Sequence, residues 1–155
     1  MLKIINAETD NDLAEVGKLF REYETSLDLE LCFQGFEEEL RSLPGKYARP
    51  DGRLLLAYSG GRLAGCIVLR KLEDEICEMK RLYVRDEFRG QKIGITLIER
   101  LIAEAREIGY TRMRLDTHPP KMGKAVSLYE SLGFSPIPPY YDNPNDGVLF
   151  MQLSL

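Results

Sequence analysis

The chain has 155 residues, enough for one domain with its own core and too few for two comfortable ones. Its net charge is −4, and its 21 basic side chains gather in no single segment, which argues against a nucleic-acid surface. One histidine and three cysteines without C-x-x-C spacing argue against a metal centre, and Cys66 and Cys77 sit in apolar, strand-like runs that suit core packing. The opening "MLKIINAETD" has no signal-peptide core, and no apolar run approaches a membrane span. These features predict a reduced, cytoplasmic protein with no membrane partner.

In chain order, "LKII" reads as a short strand. "TDNDLAEVGKLFREYETSL" spaces Leu13, Val16, Phe20, Tyr23 and Leu27 as a helix, with Thr9 or Asp10 as N-cap. "DLELCFQG" has no clear pattern. "FEEELRSL" predicts a short helix on Phe36, Leu40 and Leu43, closed by Pro44-Gly45. A hairpin follows: "RLLLAY", a turn at Ser59-Gly60-Gly61, and "RLAGCIVL". "EICEMKRLYV" is a long strand, and "MRLDT" a short one after a helix that ends at Gly109. "GKAVSLYESL" is a helix with Ala125, Leu128, Tyr129 and Leu132 on one face and Gly133 at C′. "GVLFMQLSL" is a closing strand, apolar on both sides and so expected in the sheet interior, with one more short strand expected near Phe134. The order predicts a mixed α/β sheet with hairpins in front and crossover helices behind.

Two details carry functional information. In "ICEMKRLYV", Cys77 and Met79 share one phase, while Leu82 and Val84 share the other. Either a β-bulge slips the strand by one residue and puts all four on one face, or the strand is buried on both faces. Just downstream, Arg89-Gly90-Gln91-Lys92-Ile93-Gly94 joins the strand to an amphipathic helix. Two glycines, two cations and the bare amides of a helix start suit a phosphate or pyrophosphate, although an ordinary strand-to-helix turn has the same look. The spacing fits neither a Walker A loop nor the dinucleotide glycine motif.

The run from Met79 to Thr117, with "AVSLYESLGF" after it, resembles the GNAT superfamily of N-acetyltransferases. Arg89 and Gly94 match the outer positions of that family's Arg/Gln-x-x-Gly-x-Gly/Ala turn, and Leu128-Tyr129 with Gly133-Phe134 matches its Leu-Tyr-x-x-x-Gly-Phe helix end. Lys92 replaces the central glycine, and Met122 stands where an asparagine is common. The resemblance implies a single α/β domain over residues 1–155, whose mixed central sheet has a bulged, splayed central strand and flanking helices. It implies acetyl-coenzyme A, with its pyrophosphate on the amides of Arg89, Gly90, Gln91, Lys92, Ile93, Gly94 and Ile95. The pantetheine arm would lie along the backbone of Leu82, Tyr83 and Val84, with the Leu82 amide on the thioester oxygen.

Acetyl transfer to an amine requires a free-base nitrogen, an oxyanion donor and a proton for the leaving thiolate. By the resemblance Tyr129 is that acid as well as a cofactor contact, whereas a tyrosine on an apolar stripe would otherwise read as core. Glu78, just before the slip, is the candidate base, directly or through water, with an exposed ion pair to Lys80 or Arg81 as the alternative. His118, the sole histidine, is a second candidate near the substrate. Tyr140 and Tyr141, in "PIPPYYDNPNDGV", are expected to contact the acceptor from a stiff loop, unless that segment is a disordered linker. Acidic residues in the first helices (Glu22, Glu24, Asp28, Glu30, Glu37, Glu38, Glu39) hint at a cationic amine. The expected acceptor is a small-molecule or amino-acid-like amine, with protein N-termini or lysines still open and a homodimer left open. A non-catalytic acyl-CoA-binding module of the same fold is the alternative function.

Overall fold

The computed structural model describes residues 1–27, 36–143 and 147–155; the unassigned run at 28–35, with Cys32, lies outside them. Strand β1 (Leu2–Asn6) leads into α1 (Asp10–Leu27), followed by α2 (Phe36–Arg41), β2 (Arg53–Ser59), β3 (Arg62–Glu73) and β4 (Ile76–Val84). Then come α3 (Ile93–Ile108), β5 (Arg112–Thr117), α4 (Pro119–Ser131), β6 (Ser135–Ile137) and β7 (Leu149–Ser154). Among the described residues the seven strands form one sheet in the order β1-β2-β3-β4-β5-β7-β6. β4 and β5 are parallel and the other neighbours antiparallel. As expected from its two apolar faces, β7 is interior, and β6 is the short strand anticipated near Phe134.

Local chemistry sets the element ends. Thr9 is the N-cap of α1: its hydroxyl accepts the Asp12 N–H at 3.0 Å, while the Asp12 carboxylate accepts the N–H groups of Thr9 and Glu8. Gly60 and Gly61 both take positive φ, as a tight two-residue hairpin turn requires. Helix α4 ends in a Schellman motif, with Phe134 N–H on the Tyr129 carbonyl and Gly133 N–H on that of Glu130. It begins four residues earlier than its apolar spacing suggests. Pro119 and Pro120 occupy its first turn, where a missing N–H leaves no bond unmade.

The sheet separates two apolar clusters. Leu55, Ala57, Ile67, Cys77 and Met79 pack with α3 and α4 on one face; Leu54, Leu56, Cys66 and Val68 pack with α1 and α2 on the other. The phase slip in β4 is resolved as a bulge: Val68 faces Lys80 and Cys66 faces Tyr83, so Ile67 alone lies opposite Arg81 and Leu82. Leu82 and Val84 thereby join Cys77 and Met79 on the α3 face, while Tyr83 turns to α1. Just beyond the bulge, opposite Val84, β3 has Gly65, where a Cβ would lie 2.5 Å from the Tyr83 carbonyl oxygen. A glycine inside a strand is a mark of such close backbone approach, a signal the reading of the sequence passed over.

Gly65→Ala is therefore expected to push β3 and β4 apart at the bulge. The contact is with backbone and cannot be relieved by a rotamer change. We expect a loss of about 1–3 kcal/mol, each kcal/mol being roughly 2–4 °C in Tm for a chain of this size. An unchanged denaturation midpoint would contradict the close approach.

Candidate active site

The bulge rests on Arg81, which holds a left-handed φ of +56°. For a residue with a Cβ this conformation is unfavourable by roughly 1–2 kcal/mol. The side chain locks it in place. Its guanidinium is buried beneath the sheet and donates from Nε and Nη2 to the two Glu39 carboxylate oxygens at 3.1 and 3.3 Å. It also lies 5.2 Å from the Phe36 ring and 5.9 Å from that of Tyr23. Burial works against ionising Glu39, but Arg81 outweighs it and keeps the carboxyl below its ordinary value.

Beyond the bulge the sheet opens. Among the described residues, β4 pairs with β5 only at Ile76, Cys77 and Glu78, whereas β5 continues along β7 to Thr117. Among them, the β5 side of Leu82, Tyr83 and Val84 has no strand partner, so the expected splay of the central strand is present.

At the α3 end of this opening lies a cavity of about 540 Å³. Val84, Phe88 and the turn Arg89, Gly90, Lys92, Ile93, Gly94 and Ile95 line one side, and Lys124, Ala125 and Leu128 of α4 the other. Gly90 has φ +83°, and Lys92 caps α3 in the left-handed conformation, φ 62° and ψ 23°. The lysine thus takes up the backbone shape that the family's glycine would supply. The first amides of α3 face a hollow bordered by Arg89, Lys92 and Lys124, a fit for a diphosphate. A Cβ on Gly94 would meet no protein atom closer than the Val84 Cγ2 at 3.9 Å, so space there is open to a ligand. Gln91 is the member of the turn outside the cavity; its side chain accepts from the Ser59 hydroxyl. Lys124 was not singled out from the sequence, because nothing local distinguishes it from any exposed helical lysine.

Tyr129 sits one residue past Leu128, buried, with its ring 5.8 Å from that of Phe134. Burial, with smaller contributions from Tyr23 and Asp116, pushes its phenol above the ordinary range, so it is a neutral proton donor at neutral pH.

Glu78 is buried, not on the surface. It is 1% exposed; Oε1 accepts from Arg70 Nε at 2.8 Å and Oε2 from the Tyr140 hydroxyl at 2.6 Å, with Lys80 Nζ 3.8 Å away. Burial opposes its charge, but Lys80, Tyr140 and Arg70 hold it below the usual glutamate value. Of the alternative, the ion pair with Lys80 is present but buried, Arg81 pairs with Glu39 instead, and Arg70, directly opposite on β3, is the added partner.

The Tyr140-Tyr141 loop is pinned, not a loose linker. The Tyr141 hydroxyl donates to Asp116 Oδ2 at 2.6 Å and accepts from the Asn143 amide, and both rings pack edge-on against Phe150. His118 is 9% exposed at the N-cap of α4, two residues beyond Asp116. Glu22, Glu37, Glu38 and Glu39 pair with Arg85, Arg21, Arg41 and Arg81; Asp28 and Glu30 lie outside the described residues. Arg70 and Asp116, like Lys124, are site residues that the sequence did not single out.

The profile of the Acetyltransferase (GNAT) family matches residues 13–134. The chain is 36% identical to an uncharacterized N-acetyltransferase of Dictyostelium discoideum, over all of this chain and 99% of the relative. It is also 36% identical to one of Schizosaccharomyces pombe, over 99% and 95% of the two chains. The fold superposes on the PaiA N-acetyltransferase of Thermoplasma acidophilum, solved in complex with coenzyme A, with a TM-score of 0.75 at 20% identity, covering 100% and 99% of the chains. This chain belongs to the GNAT family of acetyltransferases.

Glu39 and Glu78 are both held below their ordinary value of 4.5 in the folded protein. Their contribution to stability is complete above that value and lost as pH falls through the lower folded values. Tm should be flat down to about pH 5 and fall below it. Glu39→Ala strands the Arg81 charge and should remove about 3–5 kcal/mol at neutral pH, with a shallower acid decline. Parallel declines in variant and wild type would remove Glu39 from this account.

Proposed function

We propose that this chain is an acetyl-CoA-dependent N-acetyltransferase that acetylates the primary amine of a small molecule by direct transfer. The observation that carries the reading is the cradle at the start of α3 opening into the gap where β4 leaves β5. The coenzyme A in the similar Thermoplasma structure supports it. Bound acetyl-CoA supplies the activated acetyl group; the residues of this chain do the rest.

The amides of Arg89 to Ile95 hold the pyrophosphate, and the unpaired side of Leu82, Tyr83 and Val84 holds the pantetheine arm. The Leu82 N–H donates to the thioester oxygen as negative charge develops there, a contribution of roughly a few kcal/mol in a dry site. As the amine nitrogen bonds to the carbonyl carbon and the carbon–sulfur bond breaks, Tyr129 gives its phenolic proton to the sulfur and recovers one from solvent. The amine approaches from the Tyr140 side. Glu78, with both oxygens engaged, works through Tyr140: the phenol accepts the amine proton while passing its own to Oε2. His118 stands near the same wall as a substrate contact.

Purified protein is to be screened for thiol release from acetyl-CoA with a broad amine panel. No release above the acetyl-CoA-only rate, with coenzyme A still binding, would favour a non-catalytic binding module. Gly94→Val should leave Tm unchanged, since no protein atom crowds that position. It should sharply reduce thermal protection by coenzyme A, and protection by adenosine alone should be slight in both proteins. Tyr129→Phe keeps the ring in the core and removes the acid. Its kcat should fall about a hundred- to ten-thousand-fold, with coenzyme A binding and Tm little changed. Wild-type kcat, with chemistry limiting, would return Tyr129 to a packing role.

A further inference from the structure

On the face of β4 opposite α3, a second cavity of about 300 Å³ is lined by Lys46, Arg70, Lys80, Glu78, Tyr140 and Asp142, among others. Water fills liquid at about 30 Å³ per molecule, so the space suits a solute on the order of ten waters. That is a small metabolite, not a folded partner.

The charges of this wall are unbalanced. Three cations face it against two carboxylates, and Glu78 is already shared among Arg70, Lys80 and Tyr140. Behind the wall, Glu39 is shared in turn between Arg81 and Lys46, with Lys46 Nζ at 3.5 Å, and Asp116 accepts from Tyr141. Lys46 and Lys80 are both held below the ordinary lysine value, first by burial and then by the neighbouring cations, Arg70 and Arg81 for Lys46, Arg81 and Lys46 for Lys80. Nearby Glu39, and Glu78 with Asp116, pull in the other direction without cancelling this. Cations crowded in a partly dry cleft gain most from an incoming anion.

We propose that this cavity binds a carboxylate carried by the acceptor, so that the substrate class is amino acids and related amino-carboxylates. The inference rests on the acetyltransferase reading above. Arg70, with Nε on Glu78 and Nη1 on the Lys71 carbonyl, keeps Nη2 for the carboxylate, and Lys46, the most exposed cation of the wall, offers the second charge. The same cations disfavour an ammonium close by, and so raise the free-base fraction of the amine that must attack. A simple cationic amine gains nothing from such a wall.

The test compares amino acids with their carboxamides, their decarboxylated amines and short peptides that carry the same α-amino group. Thiol release with acetyl-CoA is one readout. Thermal protection by the same compounds, in the presence of coenzyme A, is a second that needs no turnover. Free amino acids should exceed their amides and decarboxylated amines at least tenfold in kcat/KM and should protect the protein where the others do not. Lys46→Gln should raise the KM of the carboxylate-bearing acceptor about tenfold with the acetyl-CoA KM unchanged, and Arg70→Gln should erode the preference further. Peptides as good as free amino acids would move the carboxylate out of the recognised group and overturn the proposal. Amines accepted irrespective of a carboxylate would overturn it and leave the acetyltransferase reading intact. Carboxylate-dependent protection without turnover on any amine would uphold the anion site and overturn the catalytic reading. Absence of both would sink the two together.

Discussion

The buried pair between Arg81 and Glu39 is the constraint on which the rest of the site depends. It fixes a charged residue in a left-handed conformation inside a strand, and that one residue resets the alternation of everything after it. Without the slip, Leu82 and Val84 would face α1, and the Tyr83 ring would be driven into the α3 face. The pair need not stabilise the fold relative to a greasy replacement, because desolvating two charges offsets much of their attraction. What it supplies here is register. A carboxylate from α2 reaches one guanidinium only when the bulge sits at Arg81.

From that point the two walls of the opening are made by different parts of the chain. The α3 turn and α4 form the wall with the larger cavity, and their contacts are largely apolar and local. The other wall brings together β3, β4, β5, the segment before β7 and the turn at Lys46, through Arg70–Glu78–Tyr140 and Asp116–Tyr141. Its components are polar and distant in sequence, and its hydrogen-bonded pairs join different elements. That wall is consequently rigid only when the whole sheet is assembled.

This division explains what was legible beforehand. The α3 turn, the Gly109 stop, the Schellman end at Gly133 and the slipped phase of β4 are written in neighbouring residues, where backbone chemistry and periodicity act. The Glu39–Arg81 pair spans 42 residues and Tyr140–Glu78 spans 62, and no local pattern announces which carboxylate meets which donor. For that reason Glu78 looked like an available base when it is the hub of a buried network. Tyr140 and Tyr141 were legible as ring-bearing residues near the site, but not as phenols fixed by carboxylates. The early start of α4 was not legible from apolar spacing, because its first turn is built on Pro119 and Pro120.

Lys92 has a consequence for how a ligand arrives. In the left-handed cap of α3 a glycine would be relaxed but would have more backbone freedom to surrender on folding, whereas lysine enters with a narrower unfolded ensemble and accepts some strain. At φ +62° that strain exceeds the entropy saved, so the lysine is kept in this shape by its surroundings and not by its own preference. The ammonium, at the mouth beside Arg89 and Lys124, also extends the positive field into solvent on a protein whose net charge is negative. A diffusing polyanion would be repelled by the molecule as a whole and attracted at this one point, so that encounter is biased toward the correct end of the gap, and the bias weakens as ionic strength rises.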